Sequence, residues 1–374
     1  MTSVSPIAAE MQEPPAELRG LTPAELTALL AEGDFEPYRA RQLYHWLYVK
    51  GAESLEEMTN LPRALREWLG ERTRVGAIEL ARIRGAEGAT RKALFRLGDG
   101  KFIESVLMRD EPVAVDDTEA AAAPARISFC LSSQVGCALG CTFCRTGFGG
   151  FQRNLTPGEI VGQALTMRRR LLAAGETLQH IVFMGMGEPM HNLDNVLTAL
   201  RLLTDPEGFK LSRRRITVST VGWVPGIERL GASGVGVNLA VSLNATTDET
   251  RSTIMPVNRR YPIGALLEAL RRYPLEPRRR ITIEYVLLRG VNDTPADARR
   301  LVGLLRGLRC KVNLIMFNAC PELAYEPVEA EGLDRFAAVL SEANMTVTVR
   351  WSKGRELEAA CGQLAAHVLE AARG

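Results

Sequence analysis

The spacing of apolar positions changes character along the chain. Up to about Gly76, residues such as Leu26, Leu29 and Leu30, then Leu43, Trp46 and Leu47, recur at helical intervals and predict a small all-helical module. From Lys92 to Met108 the period falls to two. Ala93, Phe95 and Leu97, then Phe102, Ile103 and Val106, flank Gly98-Asp99-Gly100, which predicts a β-hairpin. Asp110 to Ala125 follows neither period, mixes acidic residues and alanines with Pro124, and reads as a linker.

From Arg126 onward short β-rich runs alternate with helical ones. The strands are expected at Ile127–Leu131, Ile181–Met186, Ile216–Val221, Val237–Leu243, Ile281–Leu288 and Val312–Phe317. The clearest helix start is Thr156-Pro157-Gly158-Glu159, where Thr156 caps, Pro157 takes the first helical position and Glu159 completes a capping box. Six β/α units imply a parallel sheet, and a full barrel needs eight, so the predicted fold is α/β, a partial (β/α)6 barrel with a small helical N-terminal accessory domain and β-hairpin. The expected division is 1–109 for the accessory domain, 110–125 for the linker, 126–345 for the barrel and 346–374 for a C-terminal segment. Ligands of such sheets collect at the carboxyl ends of the strands.

With 374 residues, 46% of them hydrophobic, the chain is long enough to bury a sizeable core. The first twenty residues hold glutamates and prolines but no apolar run, so neither a secretory signal nor a membrane span is expected and the predicted location is the cytoplasm. In that reducing compartment seven cysteines point to metal binding or catalysis rather than structural disulfides. Net charge is only +2, yet arginines come in runs at 168–170, 213–215 and 278–280. These mark either local basic patches for RNA or a general preference for arginine over lysine.

Cys137-Ala-Leu-Gly-Cys141-Thr-Phe-Cys144 lies just after the first strand of the α/β domain. Three thiolates in this C-x3-C-x2-C spacing can hold three corners of an iron-sulfur cube and leave the fourth open; the alternative is a closed zinc site borrowing a distant cysteine such as Cys310 or Cys320. Phe183-Met-Gly-Met-Gly-Glu-Pro189 ends the second strand, where glycines admit a ligand close to the backbone and Glu188 supplies an acceptor. Ser219, the Ser242-Leu243-Asn244 run and Asn318 place polar groups at the ends of the third, fourth and sixth strands, on the same rim. Together they would line one cofactor pocket.

The triplet in this context resembles the radical S-adenosylmethionine (SAM) superfamily. That resemblance implies a [4Fe-4S] cluster at Cys137, Cys141 and Cys144, SAM chelated to its fourth iron, contacts from Gly187 and Glu188 to the methionine amino group, and formation of a 5'-deoxyadenosyl radical. Cys130-Leu-Ser-Ser-Gln-Val-Gly-Cys137, Gly150-Phe-Gln-Arg-Asn-Leu155, Gly185-Met-Gly-Glu-Pro189, Asn313-Leu-Ile-Met-Phe-Asn318 and Ala359-Ala-Cys361-Gly-Gln-Leu364 narrow it further. From about Leu21 to the C-terminus the chain is similar to the RlmN and Cfr family of RNA adenine methyltransferases.

This family resemblance implies two catalytic cysteines outside the cluster, Cys130 and Cys361, and a general base, matched by Glu104, with Glu111 as the alternative. Cys361 would be methylated by one SAM, give up hydrogen to a radical made from a second, and bond to the adenine; Cys130 would then release the product by forming a disulfide with Cys361. The implied reaction is methylation of C2 of an adenosine in 23S ribosomal RNA and in a subset of tRNAs, with C8 methylation of the Cfr type as the alternative. An electron donor such as flavodoxin or ferredoxin and action as a monomer, away from membranes, are also implied. Two departures stand out: Asn244 replaces the family's usual histidine, and Lys353-Gly354-Arg355 replaces an Arg-Gly-acid run. A non-catalytic RNA-binding relative, or a radical enzyme acting on a protein or small molecule, are the competing readings.

Overall fold

The computed structural model of the chain describes residues 16–110, residues 126–350 and Leu364. Most of the expected linker, and Cys361, lie outside the described residues.

The first module comprises β1 (Ala16–Glu17), α1 (Pro23–Ala31), α2 (Tyr38–His45), a π-helical turn at Trp46–Lys50, α3 (Arg63–Arg72) and β2 (Thr73–Arg74). Thr22 and Glu25 form a capping box at the start of α1, and Pro23 follows where its missing N–H costs nothing. Leu26, Leu30, Leu43, Leu47, Leu65 and Leu69 are all buried, so the helical period of the sequence is the one that builds this core. β1 and β2 pair in parallel.

An antiparallel meander follows, made of β3 (Ile78–Arg84), β4 (Arg91–Leu97) and β5 (Phe102–Asp110). The last two are the expected hairpin. β3 is an addition to the predicted elements: a bulge between Leu80 and Arg82 breaks its alternation, so Ile83 falls out of step with Ile78 and Leu80.

Next come β6 (Arg126–Cys130) and the antiparallel pair β7 (Gln134–Gly136) and β8 (Phe151–Asn154), which brackets the cysteine loop. Then α4 (Pro157–Ala173), β9 (His180–Phe183), α5 (Leu193–Thr204), β10 (Ile216–Thr220), α6 (Val224–Ala232), β11 (Asn238–Ser242), α7 (Asp248–Ile254), α8 (Ile263–Arg272) and β12 (Ile281–Leu287) lead to α9 (Pro295–Leu305), β13 (Cys310–Met316), α10 (Ala330–Glu342) and β14 (Val347–Arg350). All six predicted barrel strands are present, in the parallel order β6-β9-β10-β11-β12-β13. The expected barrel boundary at residue 345 stops short of β14, a seventh parallel strand only four residues long whose positions are not buried. On the other side β6 pairs antiparallel with β5, so the meander and the barrel strands share one ten-stranded sheet.

Register fixes which side chains share a face, because side chains alternate along a strand. Val106 lies opposite Cys130 and Cys130 opposite Val182, while Ser242 lies opposite Glu284 and Glu284 opposite Asn313. Glu104, two residues from Val106, therefore shares the face of Cys130. That face is concave: Arg350 on β14 reaches the sulfurs of Met184, just past β9, and Met108 on β5.

α4 joins the helical module to the sheet. Thr156 and Glu159 form the predicted capping box. A Cβ at Gly158 would meet the carbonyl oxygen of Arg19 at 1.8 Å, and one at Gly162 would meet Ile78 at 2.4 Å. Arg168 donates to the carbonyls of Tyr48 and Phe209 with its guanidinium 4.0 Å from the Phe209 ring centre, and Arg169 donates to Gly51 and Glu57. Two arginines of the first run are thus glue between the module and α4. Among the described residues no helix is long and apolar enough to cross a membrane.

Candidate active site

β6 ends at Cys130, and Leu131 continues by donating to Val182 across the sheet. The chain then turns through β7 into the cysteine loop. Gly136 carries φ 74°, and a Cβ there would lie 1.7 Å from the carbonyl oxygen of Gly150. Only glycine allows the loop's two strands to cross this closely. The loop is docked at several points: Thr142 N–H donates to Ile254 at 3.0 Å, its hydroxyl meets that of Tyr325 at 2.7 Å, Arg145 pairs with Glu322 at 2.9 Å, and the Thr146 hydroxyl donates to the carbonyl of Leu364 at 2.6 Å.

Cys137, Cys141 and Cys144 line one cavity together with Gly187, Glu188, Ser219, Ser242, Asn244, Glu284 and Leu364. Cys137 and Cys141 pack against an apolar cluster that includes Leu139, Ile254, Met255, Leu323 and Phe317, the last of which also lines the cavity. Burial pushes the Cys137 thiol up to about 12 and raises that of Cys141 as well, so these thiols are neutral until a cation displaces their protons.

Gly185 N–H donates to Leu131 at 3.0 Å, and Gly187 adopts φ 93° against Gln134, whose side chain accepts from Glu188 N–H at 2.8 Å. The buried Glu188 carboxylate accepts from Met190 N–H at 3.1 Å and Val221 N–H at 2.9 Å, tying the end of β9 to the end of β10. Burial pushes its carboxyl up to about 7. With the Thr220 side chain as a third partner, the carboxylate still keeps acceptor capacity for a ligand.

Ser219 donates to Glu284 at 2.8 Å, and the Ser242 hydroxyl lies 3.5 Å from the same oxygen. The other oxygen of Glu284 is buried with no hydrogen-bond partner among the described residues, and burial raises this carboxyl too. A buried acceptor on the cavity wall is a demand for a donor-bearing ligand. Sequence reasoning missed Glu284; its signal was an acid inside the apolar strand Ile281–Leu287.

Asn244 lines the cavity with φ 55°, its side chain accepting from Val286 N–H at 2.8 Å and its carbonyl from the Asn292 amide at 2.7 Å. Asparagine tolerates this left-handed backbone, and its amide oxygen satisfies Val286 N–H. Leu243 is buried in the core and takes part through its backbone, its N–H bonding to Glu284 O at 3.0 Å. Asn318 is buried two residues beyond β13, while the cavity wall there is formed by Met316 and Phe317.

Beneath the pocket lies Arg251, wholly buried and also missed from the sequence. Its guanidinium donates to Leu243 O at 2.9 Å, Val221 O at 2.6 Å, Ser242 O at 3.1 Å and Asn258 Oδ1 at 3.0 Å, clasping the ends of β10 and β11. Burial holds its pKa down to about 10.

Glu104 and Cys130 are buried on the concave face, away from the cavity wall itself. The Glu104 carboxylate is 3.0 Å from the Lys92 ammonium, with side-chain exposures of only 5% and 10%. Ser132 bridges this strand to the loop, its hydroxyl donating to Glu104 O at 2.6 Å and accepting from Met186 N–H at 2.8 Å.

The residues fit an iron-sulfur cluster better than zinc. Cys310 begins β13 and so lies at the opposite end of the parallel sheet from the triplet, and Cys320 is bonded to Glu322. Among the described residues no three His, Cys, Asp or Glu side chains converge tightly enough for a single ion. The orphaned Glu284 oxygen and the polar strand ends then suit an organic cofactor beside the cluster.

An open parallel barrel with a three-cysteine loop after its first strand and a Gly-Glu motif after the next defines a radical SAM enzyme. A model of the radical SAM superfamily matches residues 131–302, and a model of the ribosomal RNA large subunit methyltransferase N-terminal domain matches residues 16–75. The chain is 48% identical over 355 residues to the dual-specificity RNA methyltransferase RlmN of Anaeromyxobacter dehalogenans, covering 94% of this chain and 92% of that one. It is 48% identical over 348 residues to RlmN of Geobacter sulfurreducens, covering 93% and 91%. The crystal structure of a radical SAM methyltransferase from Sphaerobacter thermophilus superposes with a TM-score of 0.87 at 46% identity, over 94% of this chain and 100% of that one. The chain belongs to the RlmN family of radical SAM RNA methyltransferases. Membership implies SAM and a [4Fe-4S] cluster as cofactors.

Proposed function

We propose that this enzyme methylates C2 of an adenosine in 23S ribosomal RNA and in a subset of tRNAs, through an S-methylcysteine and a covalent RNA-protein intermediate. One observation supports the reading above the others: the cysteine triplet, the Gly187-Glu188 run and the polar strand ends open into a single cavity that Leu364, three residues beyond Cys361, also lines. In this reading Cys137, Cys141 and Cys144 hold the cluster. Glu188, Ser219, Ser242 and Asn244, with the backbone of Gly187 and Leu243 and with Asn318 nearby, bind SAM, two molecules being used per turnover. When bound, cluster and SAM supply a 5'-deoxyadenosyl radical, with electrons from a donor such as flavodoxin or ferredoxin.

The chain's own residues do the rest. The Cys361 thiolate accepts a methyl group by displacement, and its carbon, once relieved of a hydrogen, bonds to the adenine. Glu104, positioned by Lys92, removes the proton from the substituted carbon. Cys130, on the face Glu104 shares, attacks the sulfur of Cys361 and frees the product as a disulfide forms, to be reduced afterwards. The N-terminal helical module grips the RNA so that the target base can be extruded. The protein acts as a monomer.

Mass spectrometry of ribosomal and transfer RNA from a host with and without the gene tests this. Loss of 2-methyladenosine from both RNAs on deletion is expected. Loss of 8-methyladenosine instead, or unchanged RNA in both classes, refutes the assignment.

A further inference from the structure

The other two arginine runs have no part in the site, and the fold brings them together. Arg213–Arg215 form a short turn just before β10, and Arg278–Arg280 immediately precede β12, so both sit at the amino ends of parallel strands. Asn238, which opens β11 between them, donates to Arg214 O at 2.8 Å and lies 3.3 Å from the Arg279 guanidinium. Arg306 and Arg309, from the α9–β13 connection, extend the cluster, and Arg280 donates to the Thr346 hydroxyl at 2.7 Å just before β14. A cavity of about 860 Å³ here is lined by Arg278, Arg279, Arg280, Arg306 and Arg309 and by no carboxylate.

This cluster is not held together by ion pairs. Among the described residues Glu276 alone pairs with it, through Arg213 and Arg279, while Arg214, Arg215, Arg278, Arg280, Arg306 and Arg309 pair with no carboxylate. Arg168 and Arg169 donate to backbone carbonyls of the helical module, and within the rim Arg279 and Arg309 donate to the carbonyls of Gly236 and Leu275. A mere preference for arginine does not explain why two runs about sixty positions apart meet on one rim, with four of their six guanidinium groups lacking a carboxylate partner among the described residues. Arg278 moreover adopts φ 64°, a left-handed backbone that glycine or asparagine takes at lower cost.

We propose that this rim is a second RNA-docking surface, which holds a phosphodiester segment of a large structured RNA while the opposite end of the barrel works on the target base. The proposal rests on the reading that the substrate is RNA. Guanidinium forks match phosphate oxygens in bidentate fashion, and repulsion within the cluster is relieved by a polyanion. An acidic electron donor does not suit the position, since electrons enter at the cysteine triplet. The seven residues of β12 separate the two ends of the sheet by roughly 23 Å at about 3.3 Å per residue. A short stem-loop seated in the site does not bridge that span, whereas a domain-sized RNA does.

The test is equilibrium binding by fluorescence anisotropy to two probes, a stem-loop carrying only the target hairpin and a domain-sized ribosomal RNA fragment. The wild-type chain is compared with the triple variant Arg278→Gly, Arg280→Ser, Arg309→Ser and with the charge-preserving variant Arg280→Lys, Arg309→Lys. The triple variant should bind the large RNA about tenfold more weakly near 0.1 M salt, with a log-log salt slope shallower by about two to three. Its affinity for the stem-loop should stay within about twofold, and the lysine variant should keep most of the large-RNA affinity. Arg278→Gly alone should raise the thermal midpoint while weakening large-RNA binding, which separates docking from misfolding. Unchanged affinity for the large RNA, or equal losses on both probes, overturns the proposal. No turnover is needed, so an error in the methylated position leaves the outcome readable.

Discussion

Replacing Arg251 by lysine keeps the charge and removes the fork. The guanidinium makes four hydrogen bonds at 2.6 to 3.1 Å, to Leu243 O, Val221 O, Ser242 O and Asn258 Oδ1, from a wholly buried position. A lysine ammonium offers three donors from a single nitrogen and cannot span acceptors on two strand ends and the 3-10 turn that carries Asn258. At least two of the four bonds are lost, and hydrogen bonds to a charged group contribute about 1.5 to 3 kcal/mol each. The expected cost is therefore about 3 to 6 kcal/mol, a large share of the roughly 5 to 15 kcal/mol that holds a domain folded. Urea unfolding should show a lowered midpoint with unchanged slope. Val221 and Ser242 also form the cavity wall, so SAM affinity measured by calorimetry should fall about tenfold or more, each 1.4 kcal/mol being a factor of ten. A lysine variant within about 1 kcal/mol of wild type and binding SAM equally well refutes the idea that this residue clasps the pocket.

Three further expectations follow from the same geometry. Gly136→Ala places a Cβ against Gly150 O at 1.7 Å on a φ 74° backbone, so reconstituted protein should lose its iron, read by metal analysis, while far-ultraviolet circular dichroism stays near wild type. Lys92→Met removes the ammonium 3.0 Å from the buried Glu104 carboxylate and should cost about 3 to 5 kcal/mol in urea unfolding; adding Glu104→Gln should restore part of this stability without restoring methylation. Burial raises the Glu17 carboxyl from 4.5 to about 7, so the folded state binds the proton more tightly than the unfolded chain, and stability declines as pH climbs through that interval, by no more than about 3 kcal/mol. Comparing unfolding midpoints at pH 5.5 and 8, Glu17→Gln should show a smaller drop than wild type.

Much of the fold was legible because its signals are local. The six barrel strands stand out as apolar runs between helical segments, and the Thr156–Glu159 capping box appears as written. The cysteine triplet and the Gly-Glu run are each contiguous in sequence, and the pairing of β6 with β9 brings the two together. What the sequence concealed depends on register and on turns. β3 was hidden by a bulge, and β14 by its exposure and its four-residue length. Arg251 sits in a short polar helix where nothing marks it as buried, and Glu284 becomes informative only once its orphaned oxygen is seen on the cavity wall. The three arginine runs look alike in sequence, yet Arg168 and Arg169 of one dock onto the helical module while the other two runs emerge on a single rim.

In the proposed reading three thiolates on one loop hold an iron-sulfur cube whose open corner faces the cavity where SAM binds. Electron paramagnetic resonance of anaerobically reconstituted, reduced protein, recorded before and after adding SAM, tests it most directly. The expected result is a reduced-cluster signal whose g-values shift on SAM addition and that is absent from Cys141→Ala. A signal indifferent to SAM, or protein that methylates RNA while carrying zinc and no iron, contradicts it.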